Sequence, residues 1–466
     1  MCEKRYEQQR KDLIYLPQNG YERLKQADRD QMEDYCAQYK NFLDAAKTER
    51  EAVSETIRLA EQAGYLPWTP GLPVQAGARY YYNNRNKAIL LARIGQKPLE
   101  AGARITAAHI DSPRLDLKPN PLYEDAELAL FKTHYYGGIK KYQWPTVPLA
   151  LHGVIAKKDG TAISVCIGED DQDPVFCISD LLIHLAGDQM KKTLASGITG
   201  ESLNVIVGSV PLHDDDGADR VKFAILMLLH ERYGITEEDF LSAELSLVPA
   251  MRARDVGLDR SLIGAYGHDD RVCAFAALRP LLEEGTADYS SVCVLADKEE
   301  IGSEGVSGMQ SYCFETFLHE LCQGQSADFR RCFQNSMCLS ADVTNAFDPT
   351  FAEVHDKRNN ARINYGIALC KYTGARGKSG ASDASAELVA KVRGMLDEQD
   401  VMWQMGELGK VDQGGGGTVA VYMANRNIDT LDAGVPVLSM HAPFEIVGKL
   451  DCYMSYKAMK VFYEAK

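Results

Sequence analysis

The chain has 466 residues, enough for two or three structural units, and its 45% hydrophobic and 25% charged residues are typical of a folded globular protein rather than a disordered or fibrous one. The formal net charge of −15 argues against nucleic acid or an anionic membrane surface as a partner. A small acidic substrate stays compatible with this charge, because local charge inside a pocket outweighs the global sum.

The cysteines and the amino terminus bear on the cellular compartment. Twelve cysteines are scattered without a C-x-x-C pair or a framework spacing. The chain begins MCEKRYEQQRKDL, without an apolar signal core, and its longest apolar stretch, 223–229, is too short to span a bilayer. Since disulfides are rare in the cytoplasm, reduced thiols in a soluble cytoplasmic protein are the simplest interpretation.

The predicted elements change in character along the chain. Apolar residues at three- and four-residue steps predict helix over 28–64, and two strands follow, the second in ARITAAHIDSP. The stretch 120–252 is rich in aromatic and β-branched residues with Gly and Pro, which predicts a β-rich unit with helical pieces at 179–192 and 221–234. After about 255, strands and helices alternate again to the end of the chain.

This alternation predicts a mixed sheet covered by helices on both faces. The fold class is therefore expected to be α/β. Residues 1–119 and 253–466 would form one α/β domain, interrupted by an inserted β-rich domain at 120–252.

Five predicted strand ends carry side chains that bind metals. Ligands gather at the carboxyl ends of strands in open α/β sheets. The residues are His109 and Asp111, Asp269 and Asp270, Glu299 and Glu300, Asp342, and His441. Each alone is more often a structural histidine, a helix cap or a solvated turn. Together they are hard to ascribe to capping, and two histidines with several carboxylates suit a pair of divalent ions.

This carboxylate-rich, cysteine-free set favours a hydrolytic zinc, cobalt or manganese site over a structural zinc, which thiolates usually close. The adjacent pair Glu299 and Glu300 then has a chemical use. One glutamate coordinates a metal, while its unliganded neighbour takes a proton from the attacking water and passes it to the leaving amine.

The motifs HIDSP, DD before a helix, DKEEIGSEG, SADVTNAFDP and MHAPFE, in this order, resemble the aspartyl aminopeptidase family of dinuclear zinc metallo-aminopeptidases. The match covers nearly the whole chain, and the ordered set is specific where HIDSP or EE alone would not be. The resemblance implies a zinc-exopeptidase-like catalytic domain, an inserted oligomerisation domain and a dodecamer. It also implies removal of N-terminal residues from peptides, with Asp or Glu preferred. Two Zn²⁺ ions per subunit are implied, with Co²⁺ and Mn²⁺ as alternatives.

Residue roles follow from the same resemblance. The implied metal ligands are His109, Asp269 as the bridge, Glu300, Asp342 and His441. Glu299 would be the general base, Asp111 would orient His109 and fix its tautomer, and Asp270 would follow a cis peptide bond. Asp270 stands where asparagine is usual in eukaryotic members.

Two further residues are nominated. DLLIHL resembles the segment that brings a partner subunit's histidine near the scissile carbonyl, which nominates His184; a helix-face histidine is the competing interpretation. A pocket for an acidic side chain needs a cation, and the candidates are Lys371, Arg376 and Lys378, of which Lys378 is favoured over a solvated loop charge because of its position between a metal motif and a helix.

Three alternatives stay open at this point. A deacylase or carboxypeptidase could use the same metal core, and an inactive oligomeric scaffold could keep the fold without the reaction. A nucleotide-binding oxidoreductase is disfavoured because no G-x-G-x-x-G follows the early strands.

Overall fold

The computed structural model describes residues 6–466, and across this range the chain forms eleven α-helices and twenty strands in three sheets. The first five residues, on which the prediction of no signal sequence partly rests, lie outside the described residues. None of the helices in the described part of the chain has the length and apolar character needed to cross a membrane.

The strands, in chain order, are β1 (Leu66–Pro67), β2 (Arg79–Asn84), β3 (Ala88–Arg93), β4 (Ala103–His109), β5 (Arg114–Asp125), β6 (Leu128–Tyr136), β7 (Leu149–Ala156), β8 (Ala162–Ile167), β9 (Val205–Gly208), β10 (Ala243–Pro249), β11 (Arg254–Val256), β12 (Leu262–Ala265), β13 (Ser290–Ala296), β14 (Met337–Ser340), β15 (Thr344–Asn345), β16 (Ile367–Cys370), β17 (Trp403–Met405), β18 (Asp429–Gly434), β19 (Pro436–Leu438) and β20 (Glu445–Gly448). The helices are α1 (Glu7–Leu13), α2 (Gln26–Ala45), α3 (Glu49–Gln62), α4 (Leu194–Gly197), α5 (Arg220–Tyr233), α6 (His268–Leu278), α7 (Cys313–Gly324), α8 (Phe329–Asn335), α9 (Ala386–Glu398), α10 (Ala420–Ala424) and α11 (Lys449–Glu464).

The largest sheet has nine strands in the order β1-β2-β3-β13-β4-β14-β18-β16-β17. Its central strands β13, β4, β14 and β18 run parallel, whereas β3 and β16 pair antiparallel with their inner neighbours. Side chains alternate between two cores, with Leu91 and Leu295 packed in one and Leu90 and Val294 in the other, as the two-residue period of a strand requires. Helices line both cores, which confirms the predicted α/β class with a helix-covered mixed sheet.

A second sheet has six strands, all antiparallel, in the order β8-β7-β10-β5-β6-β9. All of these strands lie between Arg114 and Pro249, and they share a third core around Phe131, Trp144 and Leu247. The division of the chain into domains at residues 119 and 252 stays a prediction.

A third, smaller sheet positions part of the functional site. Its order is β11-β12-β20-β19-β15, and β12 pairs antiparallel with β20, so that Ala265 lies opposite Glu445. The chain leaves β12 and enters α6 within three residues.

Two local predictions differ from the structure. The long predicted helix over 28–64 is divided into α2 and α3, because Thr48 starts a new helix through a capping box with Glu51. The predicted helix at 179–192 is wrong, since this segment forms turns with a single 3₁₀ turn at Gln189–Lys191. Leu182 and Ile183 are exposed there, and so short a helix is marginal without an apolar face to pack.

Candidate metal centre

Three neighbouring strands bring the predicted residues to one edge of the nine-stranded sheet. β13 and β14 flank β4 and run parallel to it, with Ala296 opposite His109 and Ser340 opposite Ala107. Because parallel strands end at the same edge, the residues that follow them meet at the end of β4. His109 lies there with Glu299 and Asp342 around it.

The two histidines of the site are held in the same way. His109 Nδ1 lies 3.0 Å from the carbonyl of Asp111, and His441 Nδ1 lies 2.8 Å from the carbonyl of Gly138. Since a carbonyl only accepts, each Nδ1 donates a proton, and each Nε2 is left to face the site.

Asp269 lies between these two Nε2 atoms. Its Oδ1 is 3.1 Å from His109 Nε2, and its Oδ2 is 3.2 Å from His441 Nε2. The carboxylate therefore presents one oxygen to each histidine, which is the arrangement of a ligand shared by two ions. The peptide bond between Asp269 and Asp270 is cis, as the resemblance implied.

The remaining carboxylates surround the two histidines, and Glu300 lies near both of them, since its ligand atoms also group with those of His109 and Asp269. On the His109 side, Glu299 and Asp342 each place an oxygen 3.9 Å from Nε2. Atoms of His109, Asp270 and Asp342 also lie close enough to one another to hold one ion. On the other side, Glu300 Oε2 lies 3.5 Å from His441 Nε2.

Asp111 fixes the turn that carries the two glutamates. Its carboxylate accepts the backbone N–H of Glu299 at 3.1 Å and that of Glu300 at 3.2 Å. The tyrosine hydroxyl of Tyr136 donates to the same carboxylate at 2.8 Å. One oxygen of the Asp111 carboxylate lies 3.4 Å from His109 Nδ1, whereas the backbone carbonyl oxygen of Asp111 lies closer to this atom, at 3.0 Å.

Burial and charge strongly perturb the pKa values of this site. Burial, with the nearby Asp269 and Asp111 carboxylates, raises the pKa of Glu299 to about 7. Burial and neighbouring carboxylates also raise the pKa of Glu300 and of Asp342 well above their usual values. So many buried carboxylates in one place call for positive charge, which divalent cations supply.

Two buried oxygens give a second test of whether metal ions fit. Asp270 Oδ1 and Glu300 Oε1 are buried and have no hydrogen-bond partner in the described structure. Buried polar atoms are normally paired, and metal coordination satisfies a carboxylate oxygen as well as a hydrogen bond does. Ligands made only of imidazole and carboxylate suit a catalytic zinc site.

Two predicted residues are placed apart from these contacts. His184 is exposed in the turns at 183–188, so no helix presents it. Lys378 Nζ lies 3.1 Å from Asp383 and 3.9 Å from the ring centre of Tyr372, and Lys371 contacts the same aspartate. The roles assigned to His184 and Lys378 stay predictions.

Sequence reasoning did not find several residues that support the site. Tyr136 and Gly138 contribute the hydroxyl and the carbonyl described above, and Glu445 accepts backbone N–H groups of Asp269 and His441. Glu445 belongs to the MHAPFE motif, and membership of this motif was the sequence feature that could have indicated its role at the site. Its partner Asp269 is 176 residues away in the chain.

Comparison with known proteins identifies the family to which this chain belongs. The family model described as "Aminopeptidase I zinc metalloprotease (M18)" matches residues 42–463. The chain therefore belongs to the M18 family of zinc aminopeptidases, the aspartyl aminopeptidase family, and is a metallo-aminopeptidase. The family resemblance read from the motifs is confirmed.

Individual relatives match along almost their whole length. A probable M18 family aminopeptidase 1 of Clostridium acetobutylicum is 50% identical over 432 residues, which are 91% of this chain and 93% of the relative. The crystal structure of an M18 aminopeptidase from Thermotoga maritima has a TM-score of 0.93 and 44% identity, over 97% of this chain and 100% of that one.

A more distant likeness concerns fold alone. The S. cerevisiae mApe1 dodecamer has a TM-score of 0.76 at 22% identity, and the match covers 93% of this chain and 97% of that one.

Proposed function

We propose that this aminopeptidase works with two zinc ions per chain and hydrolyses the N-terminal residue of peptides through a water between the ions. The observation that carries the proposal is the placement of Asp269, whose two carboxylate oxygens face the Nε2 atoms of His109 and His441 at 3.1 and 3.2 Å. A carboxylate that paired with one histidine alone would not have to place its second oxygen next to the other histidine.

Each ion would have its own ligands beside the shared Asp269. His109 and Asp342 would hold one ion, with the buried Asp270 beside them, and Glu300 and His441 would hold the other. Zinc supplies Lewis acidity that polarises the scissile carbonyl and makes water a nucleophile near neutral pH. Cobalt or manganese would suit the same oxygen and nitrogen ligands.

Glu299 is the residue proposed to move the proton. It lies on the same turn as Glu300, but its side chain is 18% exposed, against 3% for Glu300 and 9% for Asp342. A carboxylate at the border of the site can take a proton from water and deliver it to the leaving amine. Asp111 keeps this carboxylate in place by holding the backbone N–H of Glu299.

The acidic preference for Asp or Glu would come from cations near the substrate side chain. Arg376, Lys378 and Lys410 line a cavity of about 160 Å³. Lys378 is the proposed contact, although Asp383 holds it in the described structure. Replacement of Lys378 by Ala would then lower the rate on acidic substrates and leave other substrates unaffected.

We also propose that the chain forms a homo-oligomer, with a dodecamer as the expected size. An exposed apolar face supports this: Phe223, Met227 and Leu228 on α5 are 45%, 48% and 61% exposed. The exposed His184 would act in a neighbouring subunit of such an assembly. The cytoplasmic location stays a prediction that rests on the cysteines, of which those in the described residues are free thiols.

One experiment tests the proposed reaction. Metal-free protein is loaded with zinc, cobalt or manganese and assayed on aminoacyl substrates that carry Asp, Glu, Leu or Lys, each with a free or an acetylated amino terminus. We expect substrates with a free amino terminus to be cleaved, those with Asp or Glu fastest, and acetylated substrates to be left intact. Preference for acetylated substrates would instead support a deacylase, and preference for Leu or Lys would overturn the acidic specificity but keep the mechanism.

A further inference from the structure

Glu445 is a buried carboxylate with an unusual pair of partners. It is the first residue of β20 and only 1% exposed. Its Oε1 accepts the backbone N–H of His441 at 2.6 Å, and its Oε2 accepts the backbone N–H of Asp269 at 3.0 Å. One side chain thus joins the backbones of two residues that face each other across the site.

Only a carboxylate can do this. Each of its oxygens accepts, whereas the amide of a glutamine has one oxygen and an NH₂ group that cannot accept from a second N–H. The separation of the two oxygens therefore sets the separation of the two backbone nitrogens. These nitrogens belong to the residues whose side chains meet at 3.2 Å, His441 Nε2 and Asp269 Oδ2.

The other side of the same backbone is also held. Ser112 Oγ donates to the carbonyl of Asp269 at 2.6 Å, and Arg271 Nη1 donates to Ser112 Oγ at 2.9 Å. With its N–H on Glu445 and its carbonyl on Ser112, the Asp269 backbone has little freedom to rotate. Among the residues that the structure describes, no equivalent hydrogen bond holds the carbonyl of His441, so the position of this residue depends on Glu445 and on the contact of its ring with Gly138.

Burying the Glu445 carboxylate at this place destabilises the folded protein, which suggests that the carboxylate is needed for function. Within residues 6–466, no lysine or arginine forms an ion pair with Glu445, and the acidic Asp269 lies directly beside it. Burying an anion next to other anions is unfavourable. If only one backbone N–H had to be accepted, a neutral side chain would do so with a smaller loss of stability.

We propose that Glu445 is a positioning residue that holds His441 against Asp269 and thereby sets the affinity of the site for the ion on the His441 side. This inference rests on the proposed two-zinc function and makes it specific, because it predicts that the two ions respond differently to one substitution. The ion on the side of His109 and Asp342 would be little affected.

Glu445→Gln tests the role, since it keeps the size of the side chain and removes one acceptor. A matched control is Asp451→Asn. Asp451 is a fully buried carboxylate on α11 whose two oxygens likewise accept backbone N–H groups, from Asn364 and Gly366, both at 2.7 Å. Both variants lose the same chemistry, but only one of them is next to the metal centre.

Zinc affinity is measured by equilibrium dialysis, with thermal melting as the measure of stability. We expect Glu445→Gln to bind one ion as the wild type does and the second roughly 10- to 100-fold more weakly, with kcat restored by excess zinc. Asp451→Asn should melt at a lower temperature and still bind both ions tightly. If Glu445→Gln does not fold, Glu445→Asp decides by the same measurement.

The outcomes separate the two proposals. A wild-type chain that binds only one zinc overturns the two-zinc function and this inference with it. A wild type that binds two ions, together with Glu445 variants of unchanged zinc affinity, overturns the inference alone. An equal loss of zinc in Asp451→Asn also overturns it, because the effect would then reflect general loss of stability.

Discussion

Glu299 and Glu300 are adjacent in the chain, but their side chains differ in solvent exposure and in the histidine that each one contacts. The turn that carries them begins at Lys298, whose φ of 70° lies in the left-handed region. The Glu300 side chain is 3% exposed and points to His441, whereas that of Glu299 is 18% exposed and points to His109. Removing one of them should therefore have a different consequence from removing the other.

Glu299→Gln should keep the zinc content of the wild type and lower kcat by about 10²- to 10⁴-fold, the usual contribution of a general base. Glu300→Ala should lose zinc first, and its activity should partly return when zinc is added in excess. Zinc content after dialysis and steady-state kinetics measure both effects. Two variants with wild-type zinc content and wild-type turnover would show that neither residue has the proposed role, and would favour an inactive scaffold if the wild type is also inactive.

At the scale of elements, His152 on β7 links the six-stranded sheet to α3. Its Nδ1 lies 2.7 Å from Glu51 and its Nε2 lies 3.0 Å from Glu169, which also pairs with Lys47 at 2.7 Å. Burial alone would lower the pKa of His152, but hydrogen bonds with Cys166, Glu169 and Glu51 raise it to about 11. The imidazolium between two carboxylates therefore contributes to the stability of this junction.

This contribution should depend on pH. An unfolded histidine loses its proton near pH 6.5, while the folded one keeps it to about 11. The stabilisation is complete below pH 6.5 and is lost as the pH rises to 11, by at most about 1.4 kcal/mol per pH unit. Denaturant unfolding at pH 7 and 9 should show a smaller decrease for His152→Gln than for the wild type, and His319→Gln, at an exposed histidine on α7, should behave as the wild type does. Equal decreases in all three proteins would contradict this account.

At the scale of the whole molecule, an exposed apolar surface lies along α5 and the segment that follows β9. Residues of α5, with Val210, Leu212 and Ile235, line an open cavity of about 1000 Å³. An exposed apolar patch of this kind commonly marks a protein–protein interface.

Leu228→Glu should therefore lower the oligomeric state, because it places a charge in an apolar contact. Leu258→Glu is the matched control, since Leu258 is also an exposed leucine but lies outside this cavity. Analytical ultracentrifugation measures the mass of both variants. If they have the same mass as the wild type, the face on α5 is not the interface; if the mass falls and kcat falls with it, a residue from the neighbouring subunit, with His184 as the candidate, is needed for activity.

The candidate metal ligands and the α/β class could be predicted because their signals are local. Each strand in the centre of the sheet is a short apolar run, and each ligand lies at or within a few residues of the end of such a run: His109 is the last residue of β4, and Asp342 follows β14. The order of the motifs then indicated the family. None of this required knowledge of which strands are neighbours.

Contacts between distant segments could only be decided by the tertiary structure. Glu445 meets Asp269 because β12 and β20 pair, and Tyr136 meets Asp111 across the boundary between two sheets, neither of which a local pattern records. The segment at 179–192 has the composition of a helix but forms turns, because apolar side chains stabilise a helix only when a partner surface buries them. Residue types thus determined which chemistry this chain can perform, whereas packing decided which atoms face one another, since that depends on pairings between residues far apart in the chain.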